Sequence, residues 1–516
     1  MTAELERKKT SCEAQEIDPD RELLHPFSFS LRRKLHVVVS GVYFVFNSSL
    51  GSSIASGAHD ELSEYFQIPG DSIEMVLPTS LYMAGFAVGM SPKFKSDNQK
   101  SPANSSRGPV LFGPLSEYFG RKPILTITYS IYLIFTMGCA LAPNFPALLI
   151  FRFFCGLGGS APNAILGGLF SDIYEDPHQR GLAMSWFMFA TTFPPLLGPI
   201  ISGFISTITW RWTFWAGLLI AAPGFPLLVT MPETYVPVLR LKHGNSGHKE
   251  DTSDQKNTGH LSGGDSFFSK MSVVLSRPFS MFFHESIVFC CSIYLALVYA
   301  TLYLYFQAYP IVFQGLYGLS AGISGLAFLP SEHLSSFPNS DTDANYFLVL
   351  PGSIMAFLVF FLYSSYHTKA LKSGTSWAKL EEYRRLPLAC IGAPAIPIAL
   401  FWLGWSSRLS IHPVMPMMSG VFFGFGYLLI FIALINYLTD AYKQFSASAA
   451  AAASTSRSIF AVFLPMATNA MYTKLGIDWA SSLLGFFSLA MAIIPFVFIK
   501  KGAWIRANSR FAQLAQ

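Results

Sequence analysis

Charge is scarce in this 516-residue chain. Asp, Glu, Lys and Arg make up 13% of it, against 52% hydrophobic and 15% aromatic residues and a mean hydropathy of +0.41. Soluble domains carry roughly twice that share of charge, about 25%, so a water-exposed globular fold is excluded. Cysteine is sparse too. The six (Cys12, Cys139, Cys155, Cys290, Cys291, Cys390) lie mainly in apolar runs without metal-ligand spacing, and the adjacent 290–291 pair is badly placed for a disulfide. They read as packing residues, and no metal site is expected. Carboxylates are nearly missing from the apolar interiors: Glu74 lies at an outer end of a run, Glu285 and Asp440 near inner ends. There is no histidine box, Ser–His pair, paired-carboxylate arrangement or phosphate-cradling glycine loop, which argues against a membrane enzyme and predicts no cofactor. No basic-aromatic module for nucleic acid appears either.

What the chain does have is long apolar runs. Ten can cross about 30 Å of hydrocarbon, at 36–57, 122–142, 146–169, 181–205, 211–231, 282–308, 387–406, 412–438, 447–471 and 478–499. Two more, near 77–89 and 318–330, are too short to cross alone. The first 35 residues are polar, so no cleavable signal peptide is expected there. Basic residues fall in alternating gaps: Arg32–Lys34, Arg121 and Lys122, Arg180, the 240–277 and 369–385 segments, Lys443, Lys500 and Lys501. The other gaps hold only Arg211, Arg408 and Lys474. Under the positive-inside rule both termini are cytoplasmic, which requires an even number of spans. The net charge of +5 is then mostly topology.

These runs predict an all-α membrane protein of twelve transmembrane helices in two six-helix bundles. A cytoplasmic tail (1–35) precedes the first bundle (36–231), a polar linker (232–278) joins it to the second (279–500), and a short tail (501–516) follows. Two polar inserts, 90–108 and 331–348, interrupt the short runs. Joining Gly89 to Pro109 restores a full span, and rejoining the apolar sequence around 331–348 does the same. Polar inserts inside hydrocarbon would strand side chains and backbone groups at a cost of several kcal/mol each. Their residues can encode splice-donor and branch-site strings, so both read as translated introns; the alternative is a loop extruded from each span.

Three motifs carry mechanism. The first is Gly113–Pro123 (GPLSEYFGRKP), a basic turn between two apolar runs with Glu117 and Arg121 of opposite charge. The second runs from Arg152 through the small residues Gly156, Gly159, Ser160, Gly167 and Gly168 to Asp172 and Arg180. An arginine within a span is expensive and so a functional candidate, although snorkelling to the interface is the plainer reading. The third is PPLLGPIISG (Pro194–Gly203), where proline removes backbone donors and glycine lets neighbours approach, giving a kinked, closely packed helix.

Together these stretches resemble the major facilitator superfamily, and within it the fungal drug:proton antiporters with twelve spans. So do WRWTFW (210–215), PETYVP (232–237), Arg384 and Arg385 through FWLGW (401–405), NYLTDAY (436–442), the small-residue helix with Arg457, and MYTKLG (471–476). The resemblance covers about 30–505 apart from the inserts and linker. It implies the major facilitator fold, with Arg152 in proton coupling and Glu117, Arg121, Asp172 and Arg180 as a conformational charge switch. It also casts Gly198, Pro199 and Gly203 as the antiporter helix motif, with Pro194-Pro195 standing where Gly-Pro is usual.

For the substrate cavity the candidates are Asn47, Phe187, Tyr299, Tyr303, Asn436 and Tyr437, with Phe46, Phe189, Tyr294 and Phe306 beside them; ordinary interhelical packing is the competing reading for each. The resemblance implies a proton-driven exporter of small, mostly hydrophobic compounds by alternating access. The scarcity of buried carboxylates favours neutral or lipophilic cargo. Its partners are a small-molecule substrate, protons and the lipid bilayer; it acts as a monomer in the plasma membrane, with the vacuolar membrane the alternative. The rival functions are transport of polyamines or another organic solute, and a non-transporting sensor on the same fold.

Overall fold

The computed structural model describes residues 26–70, 72–90, 112–239, 280–319, 349–442 and 446–509. Among the described residues every regular element is helical. Eleven helices are long and apolar enough to cross a membrane, and a twelfth, Ile73–Gly89, is shorter. We number the spans in chain order. The first six are α1 (Leu31–Ser53), α2 (Leu77–Met90), α3 (Arg121–Ala140), α4 (Phe145–Ile173), α5 (Pro177–Thr192, then Pro194–Ile205) and α6 (Trp210–Ala221, then Gly224–Thr230). The second six are α7 (Ser286–Tyr309), α8 (Val349–Lys372), α9 (Glu381–Gly392, then Ala395–Ser406), α10 (Val414–Tyr442), α11 (Ser446–Met466) and α12 (Thr468–Ala507, broken at Gly476).

Local chemistry explains several boundaries. Asn144 caps α4 by accepting the Ala147 N–H at 2.9 Å, with a proline in the first turn whose missing donor costs nothing there. The break in α5 falls at Phe193, because Pro194 and Pro195 cannot donate to the preceding turn and instead open a new helix.

The two bundles repeat one packing scheme: α1 on α5 and α7 on α11, α2 on α4 and α8 on α10, α3 on α6 and α9 on α12. The α2–α4 crossing is close enough that a Cβ on Gly85 would collide with the Phe153 carbonyl, and one on Gly156 with the Tyr82 carbonyl. Backbones approach this closely in membranes only through small residues. Gly352 of α8 meets the Val421 carbonyl of α10 in the same way.

Helix Phe112–Phe119 touches α2 as well as α3 and α4. Val349–Lys372 is a helix of 24 residues, and at 1.5 Å per residue it reaches about 36 Å. Of 318–330, only Gly318 and Leu319 are described, after a π-helical turn at Pro310–Leu316. The inserts, apart from Met90, and the linker beyond residue 239 up to 279 lie outside the described residues.

Candidate functional site

A small cavity of about 10 Å³, room for roughly one water, lies where the bundles meet. Ser48 and Ser52 of α1, Met83 and Phe86 of α2 and Asn163 of α4 line it from one side; Tyr299 of α7 and Arg457 of α11 line it from the other. Its lining contains no acidic side chain. Call the end of the molecule holding Arg121, Glu233 and Glu285 the near end. On the far side of the cavity, Ser52 Oγ meets the Tyr303 hydroxyl at 2.5 Å, joining α1 to α7. There too, Ser80 Oγ donates to the Val462 carbonyl at 3.2 Å, joining α2 to α11. Midway along the interface, Phe357 of α8 packs on Trp186 and Phe189 of α5, with ring centroids 6.0 and 5.3 Å apart.

Two buried arginines flank this region in opposite circumstances. Arg152 is 2% exposed. Its guanidinium donates to the carbonyls of Pro78 (2.8 Å), Gly51 (2.8 Å) and Ser52 (3.3 Å), and sits 4.7 Å from the Tyr82 ring centroid. Gly51 and Ser52 end α1, where carbonyls run out of helical N–H partners, so Arg152 caps that helix from α4 with the charge its dipole favours. It lines a second cavity within the first bundle, with Tyr132, Thr136 and Phe214. Among the described residues, Arg457, 7% exposed, donates only to Ser454 Oγ on its own helix, at 2.7 Å, and its second terminal nitrogen is buried with no partner. The Phe431 and Tyr299 rings lie 4.5 and 5.5 Å from it.

A two-bundle helical fold with a polar cavity between the halves suits a carrier, and the sequence comparison decides which kind. A profile described as Major Facilitator Superfamily matches residues 108–465. The chain belongs to the Major Facilitator Superfamily. It is 35% identical over 497 residues to the MFS-type efflux pump MFS2 of Trichophyton rubrum, covering 95% of this chain and 76% of that protein. To the Citrinin biosynthesis cluster MFS transporter mrr1 of Monascus ruber it is 35% identical over 493 residues (94% and 90% covered). To the Major facilitator superfamily multidrug transporter mdrA of Aspergillus fumigatus it is 36% identical over 499 residues (95% and 74%). A D-xylose-proton symporter structure superposes with a TM-score of 0.59 at 16% identity, over 90% of this chain and 97% of that one; that likeness shows the fold alone.

The charged turn of this facilitator packs as an intra-bundle clamp. Arg121 Nε binds Asp172 Oδ2 at 3.1 Å and its NH1 donates to Ser116 Oγ at 2.7 Å. Glu233, from the PETYVP stretch, accepts the backbone N–H groups of Arg121 and Lys122, closing the N-terminus of α3. The second bundle repeats the clamp: Arg385 Nε binds Asp440 Oδ2, also at 3.1 Å. Arg506 pairs with Glu381 and Glu382, and Glu285 accepts from Tyr442 and Ser509. Each of these pairs joins elements of one bundle. Arg180 stands exposed at the start of α5, outside the Arg121–Asp172 pair. The Glu117 side chain lies outside the described residues.

The helix motif Gly198, Pro199 and Gly203 sits against the far end of α1. A Cβ on Gly198 would run into Ser53, and Gly57 abuts the Pro199 carbonyl and the Gly203 nitrogen while donating to Ser202 Oγ at 3.0 Å.

Of the six cavity candidates, the structure brings two to the interface. Tyr299 lines it, and Tyr303 stands behind, its hydroxyl 3.2 Å from that of Tyr299. The other four line neither cavity. Asn47 donates to the Tyr43 carbonyl within the first bundle. Phe187 packs on Phe170. Tyr437 packs on Phe498 towards the near end, and Asn436 lies beside it on α10. Ser48, Ser52, Met83, Asn163 and Arg457 are lining residues that the sequence reading did not assign. Arg457 carried a usable signal, a cation in the middle of an apolar helix; the serines carried none.

Proposed function

We propose that this facilitator is a proton-coupled exporter of small, mostly hydrophobic compounds that works by alternating access, with no cofactor and as a monomer. The observation carrying this reading is the inter-bundle cavity, with hydrogen bonds joining the bundles on its far side, while the Arg121–Asp172 and Arg385–Asp440 pairs at the near end each lie within one bundle. We take the near end as cytoplasmic from its excess of Arg and Lys. Rocking the bundles would break the Ser52–Tyr303 and Ser80–Val462 bonds and expose the cavity to the other side. The export direction rests on the likeness to efflux pumps and a multidrug transporter, and we place it in the plasma membrane, where export clears the cell. Polyamines are poor cargo for a cavity with one cation and no carboxylate.

The assay is growth and drug accumulation in drug-hypersensitive yeast, using azoles, cycloheximide, polyamines and mycotoxins. It compares the full chain with a version lacking 90–108 and 331–348. Protection by the shortened chain, abolished by a protonophore, is the expected result. Neither version lowering accumulation of any compound, despite correct surface expression, would leave the sensor reading in its place.

A further inference from the structure

The cavity contains a cation whose donors are only partly used. Arg457 has five N–H donors and uses them on one serine hydroxyl, while a terminal nitrogen is buried without a partner. Across the cavity, the Asn163 side-chain nitrogen is likewise buried and unpartnered. The Phe431 and Tyr299 rings attract the charge but offer no strong acceptor for its N–H groups. Arg152 shows what this chain does with a purely structural arginine: three backbone carbonyls take its donors. An always-charged guanidinium left half-bonded in a low-dielectric interior is a strong site for an oxyanion, which it can grip in a two-pronged contact.

We propose that the cargo is an organic acid: an apolar or aromatic frame bearing a carboxylate. With the bundles parted and this small cavity widened, Arg457 of the second bundle binds the carboxylate, Asn163 of the first bundle donates to the same group, and Met83, Phe86 and Tyr299 contact the frame. This rests on the export reading and narrows it from neutral lipophiles to anionic ones. Because the two donors come from opposite bundles, the carboxylate also bridges the parts that must move.

The test uses purified transporter in detergent and matched triplets on several aromatic and alkyl frames, such as 1-naphthoic acid, methyl 1-naphthoate and 1-naphthylmethylamine. Binding is read as thermal stabilisation, and efflux from inverted plasma-membrane vesicles is measured separately. Acids should bind at least about 10-fold more tightly than their esters, and Arg457→Gln should lose at least about that factor for acids while changing ester binding less than about 2-fold. Arg457→Lys should restore part of the loss, and Asn163→Ala, which leaves the cation in place, should weaken acids by about 3-fold. Esters binding as well as acids, no acid binding, or Arg457→Gln and Asn163→Ala both leaving acid affinity unchanged would overturn the proposal. Esters exported in preference to acids would overturn it while sparing the export reading. Acids that bind through Arg457 but are not moved would overturn the cargo assignment as well, leaving only the anion site.

Discussion

Replacing Arg152 by Gln separates a structural from a transport role for this residue. The substitution surrenders three charge-assisted bonds, to the Pro78, Gly51 and Ser52 carbonyls, and the contact with the Tyr82 ring. At about 1.5–3 kcal/mol per charge-assisted bond, with the 3.3 Å bond at the low end, the gross loss is about 5–7 kcal/mol. Removing a guanidinium from the interior returns several kcal/mol of desolvation. The remainder, about 3 kcal/mol, is the uncapped end of α1, whose last carbonyls face protein instead of water. Thermal unfolding of the purified variant should therefore show a midpoint lower by several degrees, with Arg152→Lys between it and the parent because an ammonium donates but lacks the fork. Transport per folded molecule, measured at a temperature where the variant survives, should be largely kept. An unfolding midpoint equal to the parent's, together with lost proton-driven transport, would refute this reasoning and place Arg152 in the coupling step.

Tyr303→Phe removes the hydroxyl that meets Ser52 across the bundles. Losing about 1 kcal/mol there should raise labelling of a Met83→Cys probe by an impermeant thiol reagent from the far side; unchanged labelling would count against the seal. Gly198→Leu should abolish folded protein on size exclusion, since even a Cβ strikes Ser53, and overpacking costs about 1–3 kcal/mol or more. Asp172→Asn and Asp440→Asn break equivalent clamps, but Arg121 is 7% exposed against 16% for Arg385. The first should cost about 2 kcal/mol and the second about 1, and equal shifts in unfolding midpoint would show that burial does not set their strength.

The sequence alone determined the architecture. Hydrocarbon forces each crossing segment to satisfy its own backbone, so length and hydropathy mark the spans without knowledge of their neighbours. The glycine–proline stretch at 194–203 and the arginine at 152 were legible for the same reason: proline, glycine and charge are each conspicuous inside an apolar helix. Only the tertiary structure decided what those residues do. Successive side chains on a helix point about 100° apart, and nothing in the sequence states how each helix is turned about its axis. Tyr299 therefore reached the cavity while Asn47 and Phe187 packed inside the first bundle. The two arginines differ for the same reason. α4 carries Arg152 to the carbonyl end of α1, which satisfies it, and α11 carries Arg457 to a space that leaves it unsatisfied.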